Sequence, residues 1–179
     1  ALNPAPGDTV LDMCAAPGGK TSHLASLMKN NGLIVACDKS RKKMLAARNK
    51  FLEMGATCIV PLALDSTHML IADNTPRQTP LEVINASALP TNANKLRPIK
   101  KFHPESFDKI LLDPPCSALG LRPKLSIQWT LTDLHKVSKY QRQFIQQAVS
   151  LLKPGGTLTY STCTINADEN EVMVRWILD

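Results

Sequence analysis

The sequence predicts a single α/β domain built on a parallel sheet with helices on both faces. Three observations carry that expectation. Short, continuously apolar runs suit strands buried on both sides, segments of helical period alternate with them, and an acidic, polar or glycine-rich break follows each run. At 179 residues the chain can bury one complete core and is short for two, so residues 1–179 are read as one domain.

Residues 10–14 form the first apolar run, before AAPGGKT, and 20–29 then carry Leu24, Leu27 and Met28 at helical spacing until Asn31 and Gly32 stop them. Residues 33–37 (LIVAC) make a second strand ending in Asp38. Ser40 then suits the cap of a helix bearing Met44, Leu45, Arg48, Phe51 and Leu52. The third strand, 58–64 (CIVPLAL), ends in Asp65, and Pro61 confines it to an edge or a bulge because proline cannot donate to a ladder. Residues 73–106 hold Pro76, Pro80, Pro90, Pro98 and Pro104 among Arg77, Lys95, Arg97, Lys100 and Lys101, which reads as a long, basic, proline-rich loop.

Residues 107–112 (FDKILL) form the fourth strand and lead into DPPCS. A long helix over 132–152 follows, with Leu134, Val137, Phe144, Ile145, Ala148, Val149 and Leu152 on its apolar side, stopped by Lys153, Pro154, Gly155 and Gly156. Residues 157–161 are the fifth strand. Asn166, with Glu169 three positions on, has the form of a start for a helix over 167–178.

Bulk properties narrow the class. Hydrophobic residues make up 44% and charged residues 20% of the chain, and no apolar run is long enough to cross a bilayer, so a soluble globular protein without a membrane partner is expected. The net charge of +6 suits a polyanionic partner, although a merely basic surface would look the same by charge alone. Five cysteines, an odd number with no secretory signal before them, point to reduced thiols and a cytoplasmic location, or a nuclear or nucleolar one in a eukaryote. There is no CxxC pair and the four histidines are scattered, so no metal site is expected. Oligomeric state leaves no signal. The chain starts at Ala1 and stops at Asp179 straight after a helical pattern, so a piece of a longer protein is expected.

In open parallel sheets the ligand sits at the carboxyl ends of the strands. Residues 12–20, Asp38, Asp65, 113–117 and Cys163 all fall at or just beyond such ends, so five segments converge on one crevice. CAAPGGKT lacks the first glycine of a phosphate-cradling loop, since Cys14 stands there, and GxGxxG is absent. A nucleoside-like cofactor without a pyrophosphate fits better, and S-adenosyl-L-methionine is such a molecule. Gly18 and Gly19 let the backbone approach it, Asp38 can accept from both ribose hydroxyls, and Asp65 can reach the adenine amino group. The plainer reading makes PGG only a turn and the aspartates only helix caps.

DMCAAPGGKTSHLA, ILLDPPCS, LLKPGG and YSTCT, in that order over nearly the whole chain, resemble the Sun/Fmu-type (NOL/NOP/Sun) RNA cytosine-5 methyltransferases. GLRPKLSIQW, with the spacing from DPPCS to STCT, is similar to the branch that modifies transfer RNA near its acceptor end. The resemblance implies a Rossmann-like class I methyltransferase fold and cofactor contacts from Cys14, Ala15, Ala16, Pro17, Gly18, Gly19, Lys20, Asp38, Asp65 and Asp113. It makes Cys163 the nucleophile and Cys116 the cysteine that releases product, and brings Lys20 and Asp113 to the target base. Two departures stand out: Ala118 follows Ser117 where the family usually has glycine, and 73–106 is longer than the connection expected there.

Carbon 5 of cytosine is a poor nucleophile, so chemistry at that atom needs a thiolate added at carbon 6 and later expelled, with a carboxylate on the base edge. Buried free cysteine is usually a small hydrophobe, which is how Cys37 and Cys58 read. Cys116 and Cys163 differ because each lies in a polar motif at the active end of the sheet. A helix starting after Asn166 is expected to lower the Cys163 thiol pKa through its positive end. Competing readings are a methyltransferase acting on ribosomal RNA, an idle RNA-binding module of the same fold, a nicotinamide-dependent oxidoreductase, and a DPPY-type adenine methyltransferase. The last would carry an aromatic where Cys116 stands.

Overall fold

The computed structural model describes residues 1–70, 101–123, 126 and 128–179. Five parallel strands form one sheet: β1 (Thr9–Asp12), β2 (Leu33–Asp38), β3 (Ile59–Ala63), β4 (Phe107–Leu112) and β5 (Leu152–Tyr160), in the order β3-β2-β1-β4-β5. The chain starts in the middle, winds outward to the β3 edge, then crosses back to β4 and β5. The crossing puts the topological switch between β1 and β4, where a ligand crevice opens in such sheets. Pro61 lies in the edge strand, as its missing N–H requires.

Neighbouring strand residues point to opposite faces, and each face is closed by different helices. Val10, Ile34, Ala36, Ile59 and Leu111 pack with Leu24, Ala25 and Met28, from helix α1 (Gly19–Leu27) and its end, and with Met44, Ala47 and Phe51 of α2 (Arg41–Glu53). Leu11, Val35, Cys37, Val60, Leu62, Ile110 and Leu112 pack with Phe144, Ile145, Ala148 and Leu151 of α3 (Leu131–Leu151) and with Met173 of α4 (Glu171–Leu178). Ser40 caps α2 by accepting from the Lys43 N–H, and Thr130 with Asp133 forms a reciprocal capping box on α3.

Two expectations need correction. The fifth strand does not wait for Thr157: α3 passes at Leu152 straight into extended backbone, Phe107 pairs with Leu152, and the register then slips so that Lys109 faces Thr157. The slip absorbs the KPGG stretch as an irregularity within the strand, with Gly155 at φ +77°. The helix expected over 167–178 is broken in two, a 3₁₀ turn at Ala167–Glu169 and then α4, because Asn170 sits at φ −123°, ψ −96°. Of the loop expected over 73–106, residues 73–100 lie outside the described residues, while 101–106 are anchored. There Phe102 is fully buried, edge-on to Phe107 at 5.3 Å, and bridges to Leu70.

Candidate active site

The turn after β1 is shaped by close approach. Asp12, 1% exposed, accepts from the Thr21 hydroxyl (2.7 Å) and the Cys14 N–H (3.3 Å), while the Ala15 N–H donates to the Cys37 carbonyl (2.8 Å). Gly18 has φ +104°, and a Cβ there would stand 2.7 Å from the Phe51 ring. Glycine is therefore required at 18 both by conformation and by room. Burial pushes the Asp12 carboxyl up to about 6, opposed by its bonds to Thr21 and Cys14. Burial, and then the surrounding aspartates, push the Cys14 thiol well up, so it lines the site without titrating.

At the ends of β2 and β3 two further carboxylates face the same side. Asp38 uses Oδ1 to accept from the Ser40 N–H (2.8 Å), and its Oδ2 takes no hydrogen bond among the described residues. Asp65 accepts from the Thr67 N–H and hydroxyl and pairs with Lys39 at 2.8 Å. Partial burial opposes these bonds, yet they prevail and hold Asp65 down at about 2. A cavity of about 80 Å³ lies between Cys14, Asp38, Asp65 and Ser66, roofed by Pro115, Tyr140 and Phe144. A larger groove of about 400 Å³ runs between 1–4, α1 and Thr159, but it holds neither Asp38, Asp65 nor the cysteines.

On the other side of β1, Asp113 joins three segments. Its carboxylate pairs with Lys20 from the first turn of α1 and accepts from the Ser161 hydroxyl just past the end of β5 (2.7 Å). The cysteines meet beside it. Cys116 and Cys163 lie with their sulfurs 3.1 Å apart, Cys163 exposed and Cys116 half-buried. The expected lowering of the Cys163 pKa is overturned: the hydrogen bond with Cys116 raises it, burial and nearby Asp113 add to this, and only a short 3₁₀ turn follows. Gly120 fixes the backbone behind this thiol. Its N–H donates to the Cys163 carbonyl (3.0 Å), and a Cβ would stand 2.8 Å from that oxygen.

The structure thus gathers Cys14 to Lys20, Asp38, Asp65, Asp113, Cys116 and Cys163 along the carboxyl edge of the sheet, and leaves Cys37 and Cys58 buried within the core. Sequence reasoning placed Asp12 at the crevice, within residues 12–20, and missed Ser66, Tyr140, Ser161 and Glu169. Tyr140 and Phe144 read as ordinary positions of a long amphipathic helix, and only the fold brings them over the cavity. Among the described residues no group of three or more His, Cys, Asp or Glu side chains is arranged to hold a metal ion, and no helix is long and apolar enough to cross a membrane.

A sheet of this order, with carboxylates closing β2 and β3 and a loaded β1 turn, defines a Rossmann-like class I methyltransferase fold. Within that class the chain belongs to the RsmB/F family, whose sequence profile, described as 16S rRNA methyltransferase RsmB/F, matches residues 1–179. It is 41% identical over 177 residues to the tRNA (cytosine(72)-C(5))-methyltransferase NSUN6 of Mus musculus, covering 99% of this chain and 33% of that protein. It is also 36% identical over 242 residues to the rRNA (cytosine-C(5))-methyltransferase NOP2C of Arabidopsis thaliana, covering 100% of this chain and 40% of that protein. The crystal structure of NSun6 from Pyrococcus horikoshii with SFG superposes with a TM-score of 0.76 at 34% identity, covering 99% of this chain and 38% of that one. The chain therefore spans roughly a third to two-fifths of the length of these relatives.

Proposed function

We propose that residues 1–179 form the catalytic core of an enzyme that methylates carbon 5 of a cytosine in RNA, using S-adenosyl-L-methionine, with transfer RNA as the substrate. The observation that carries this reading is the pair of free thiols 3.1 Å apart beside the Lys20–Asp113 pair. An adenine methyltransferase has no use for two cysteines there, and a nicotinamide enzyme would need a pyrophosphate cradle that the Cys14–Lys20 turn does not supply.

The residues fit the cofactor. The open Oδ2 of Asp38 suits a ribose hydroxyl, and Asp65, beneath the Tyr140 side of the cavity, suits the adenine amino group. When bound, S-adenosylmethionine supplies a methyl group on a positively charged sulfur. The chain's own part is to make carbon 5 reactive. Cys163 adds to carbon 6 as the thiolate, Asp113, steadied by Ser161 and Lys20, accepts from the N4 amino group and so orients the base, and the Lys20 ammonium beside it offsets the negative charge that the addition puts into the ring. Once carbon 5 is methylated, Cys116 assists removal of its proton, and the electrons of that C–H bond form the double bond between carbons 5 and 6 and expel Cys163 as a thiolate. Because the two sulfurs are so close, a reducing compartment, the cytoplasm or a eukaryotic nucleus, suits the chemistry.

Transfer RNA is favoured over ribosomal RNA by the 41% identity to the mouse enzyme named for cytosine 72 of tRNA and by the GLRPKLSIQW stretch. The test is bisulfite sequencing of a total RNA pool after incubation with the protein and cofactor. New protected cytosines in transfer RNA support the proposal, protected cytosines confined to ribosomal RNA reassign the substrate, and none at all removes the activity. On a denaturing gel, Cys163→Ala should give no RNA adduct, whereas Cys116→Ala should accumulate one. Adduct surviving Cys163→Ala would exchange the two roles.

A further inference from the structure

We propose that Glu169 is a positioning residue that fixes the distance between Cys116 and Cys163. The inference rests on the reading above, that both thiols serve one cytosine. Glu169 is fully buried, 0% exposed, in a polar stretch between β5 and α4. No cation pairs with it among the described residues. Its carboxylate is instead an acceptor for four donors drawn from three segments. Oε2 accepts from the Ser117 N–H (3.0 Å) and Gln141 Nε2 (2.9 Å), and Oε1 accepts from the Ser117 hydroxyl (2.5 Å) and Asn166 Nδ2 (3.0 Å).

Ser117 directly follows Cys116, so two of the four bonds hold the Cys116 segment. The Cys163 segment is tied to the same point. With the Ser117 hydroxyl donating to Glu169, the Thr164 hydroxyl donates to Ser117 (2.7 Å) and itself accepts from the Asn166 N–H (3.2 Å). The next residue, Asn170, grips the other flank of Cys163. It accepts from the Thr162 hydroxyl (2.6 Å) and donates to the Thr164 carbonyl (3.1 Å). Gln141 completes the frame by bonding the Pro115 carbonyl (3.0 Å). A buried carboxylate is costly unless all its lone pairs are used, and three of the four bonds here go to the two segments that carry the thiols. Both thiol segments converge on this one side chain, and a fold-stabilising role alone gives no reason for that choice of partners.

Glu169→Gln keeps the shape and turns one acceptor oxygen into a donor facing other donors. In the purified protein it should lower kcat by roughly ten- to a hundredfold, the loss that a misplacement of about 1 Å can produce, with KM for RNA unchanged. Cofactor affinity by calorimetry should also hold, because Asp38 and Asp65 lie on other strands. Geometry is read without catalysis by titrating phenylarsine oxide, whose arsenic forms bonds to two neighbouring sulfurs and releases water. Wild type should bind it tightly through Cys116 and Cys163, and Glu169→Gln about tenfold more weakly. Should Glu169→Gln fail to fold, Ser117→Ala decides the matter, with the same pattern at smaller size. Arsenical binding and kcat both at wild-type level in a folded Glu169→Gln, or in Ser117→Ala if that variant decides, would overturn the proposal. Loss of arsenical binding in the variant while the wild type methylates no RNA would keep the positioning role and reject the function it rests on.

Discussion

Asp12 should make the protein less stable at neutral pH than it is in mild acid, and Asp12→Asn should remove that penalty. The carboxyl is fully buried beneath the β1 turn and raised from 3.8 to about 6, so the folded state holds its proton more tightly than the unfolded chain does. The stability linked to that proton is fully present below the unfolded value and is lost as pH rises through about 6. Each tenfold change in proton affinity is worth about 1.4 kcal/mol, so the loss reaches about 3 kcal/mol above pH 7 and about 1 kcal/mol at pH 4.5. The asparagine of the variant would be neutral throughout but would weaken the bonds to Thr21 and Cys14 by about 1 kcal/mol. The variant should therefore be more stable than wild type by about 2 kcal/mol at pH 7.5 and roughly equal to it at pH 4.5. Urea unfolding at the two values measures this. A variant less stable by the same amount at both would show that the fold supports the Asp12 charge, and would refute the reasoning.

Three further outcomes are expected. Because the hydrogen bond that the Cys163 thiol donates to Cys116 is the leading cause of the raised Cys163 pKa, the iodoacetamide rate at Cys163 should climb at a pH above that of an ordinary thiol, and Cys116→Ala should move the midpoint down; an unmoved midpoint would remove that bond as the cause. Gly120→Ala would place a Cβ 2.8 Å from the Cys163 carbonyl oxygen, where backbone must shift, so it should cost about 1 to 3 kcal/mol by urea unfolding and cut kcat more than KM; wild-type turnover would show that the loop yields freely. Asp38→Ala should weaken S-adenosylmethionine binding by about 1 to 3 kcal/mol in calorimetry, through loss of charge-assisted bonds at its open oxygen, and unchanged affinity would remove Asp38 from the cofactor site.

Much of the fold is legible in the sequence because its signals are local. LIVAC and FDKILL can hardly be anything but buried strands, Ser40 sits where a helix needs a cap, and Pro61 announces an edge. The strand ends follow, and with them the gathering of Asp38, Asp65, Asp113 and the two cysteines. What escapes depends on distant partners. KPGG has the composition of a stop, and only the pairing of Phe107 with Leu152 draws it into β5. Glu169 lies in a polar run without periodicity, so nothing local distinguishes a fully buried carboxylate from a solvated one; its donors come from residues 117, 141 and 166. Asn166 and Glu169 have the spacing of a helix start, whereas Asn166 spends its amide on Glu169 and the chain breaks again at Asn170.

The direct passage from α3 into β5 leaves no turn between helix and strand, and confines the slack there to the KPGG irregularity. Tyr140 and Phe144 on the helix roof the cavity beside Asp38 and Asp65, and the strand that begins one residue after the helix ends carries the chain to Cys163. A lengthening of the chain at most other turns would be taken up by the turn itself. A residue inserted at the junction of Leu151 and Leu152 passes into that irregularity only if the pairing of Phe107 with Leu152 gives way; while the pairing holds, the insertion rotates the helix about its axis and moves Tyr140 and Phe144 relative to Cys163. At this junction a change in length, rather than in side chain, bears directly on how the Asp38–Asp65 cavity and Cys163 sit relative to each other.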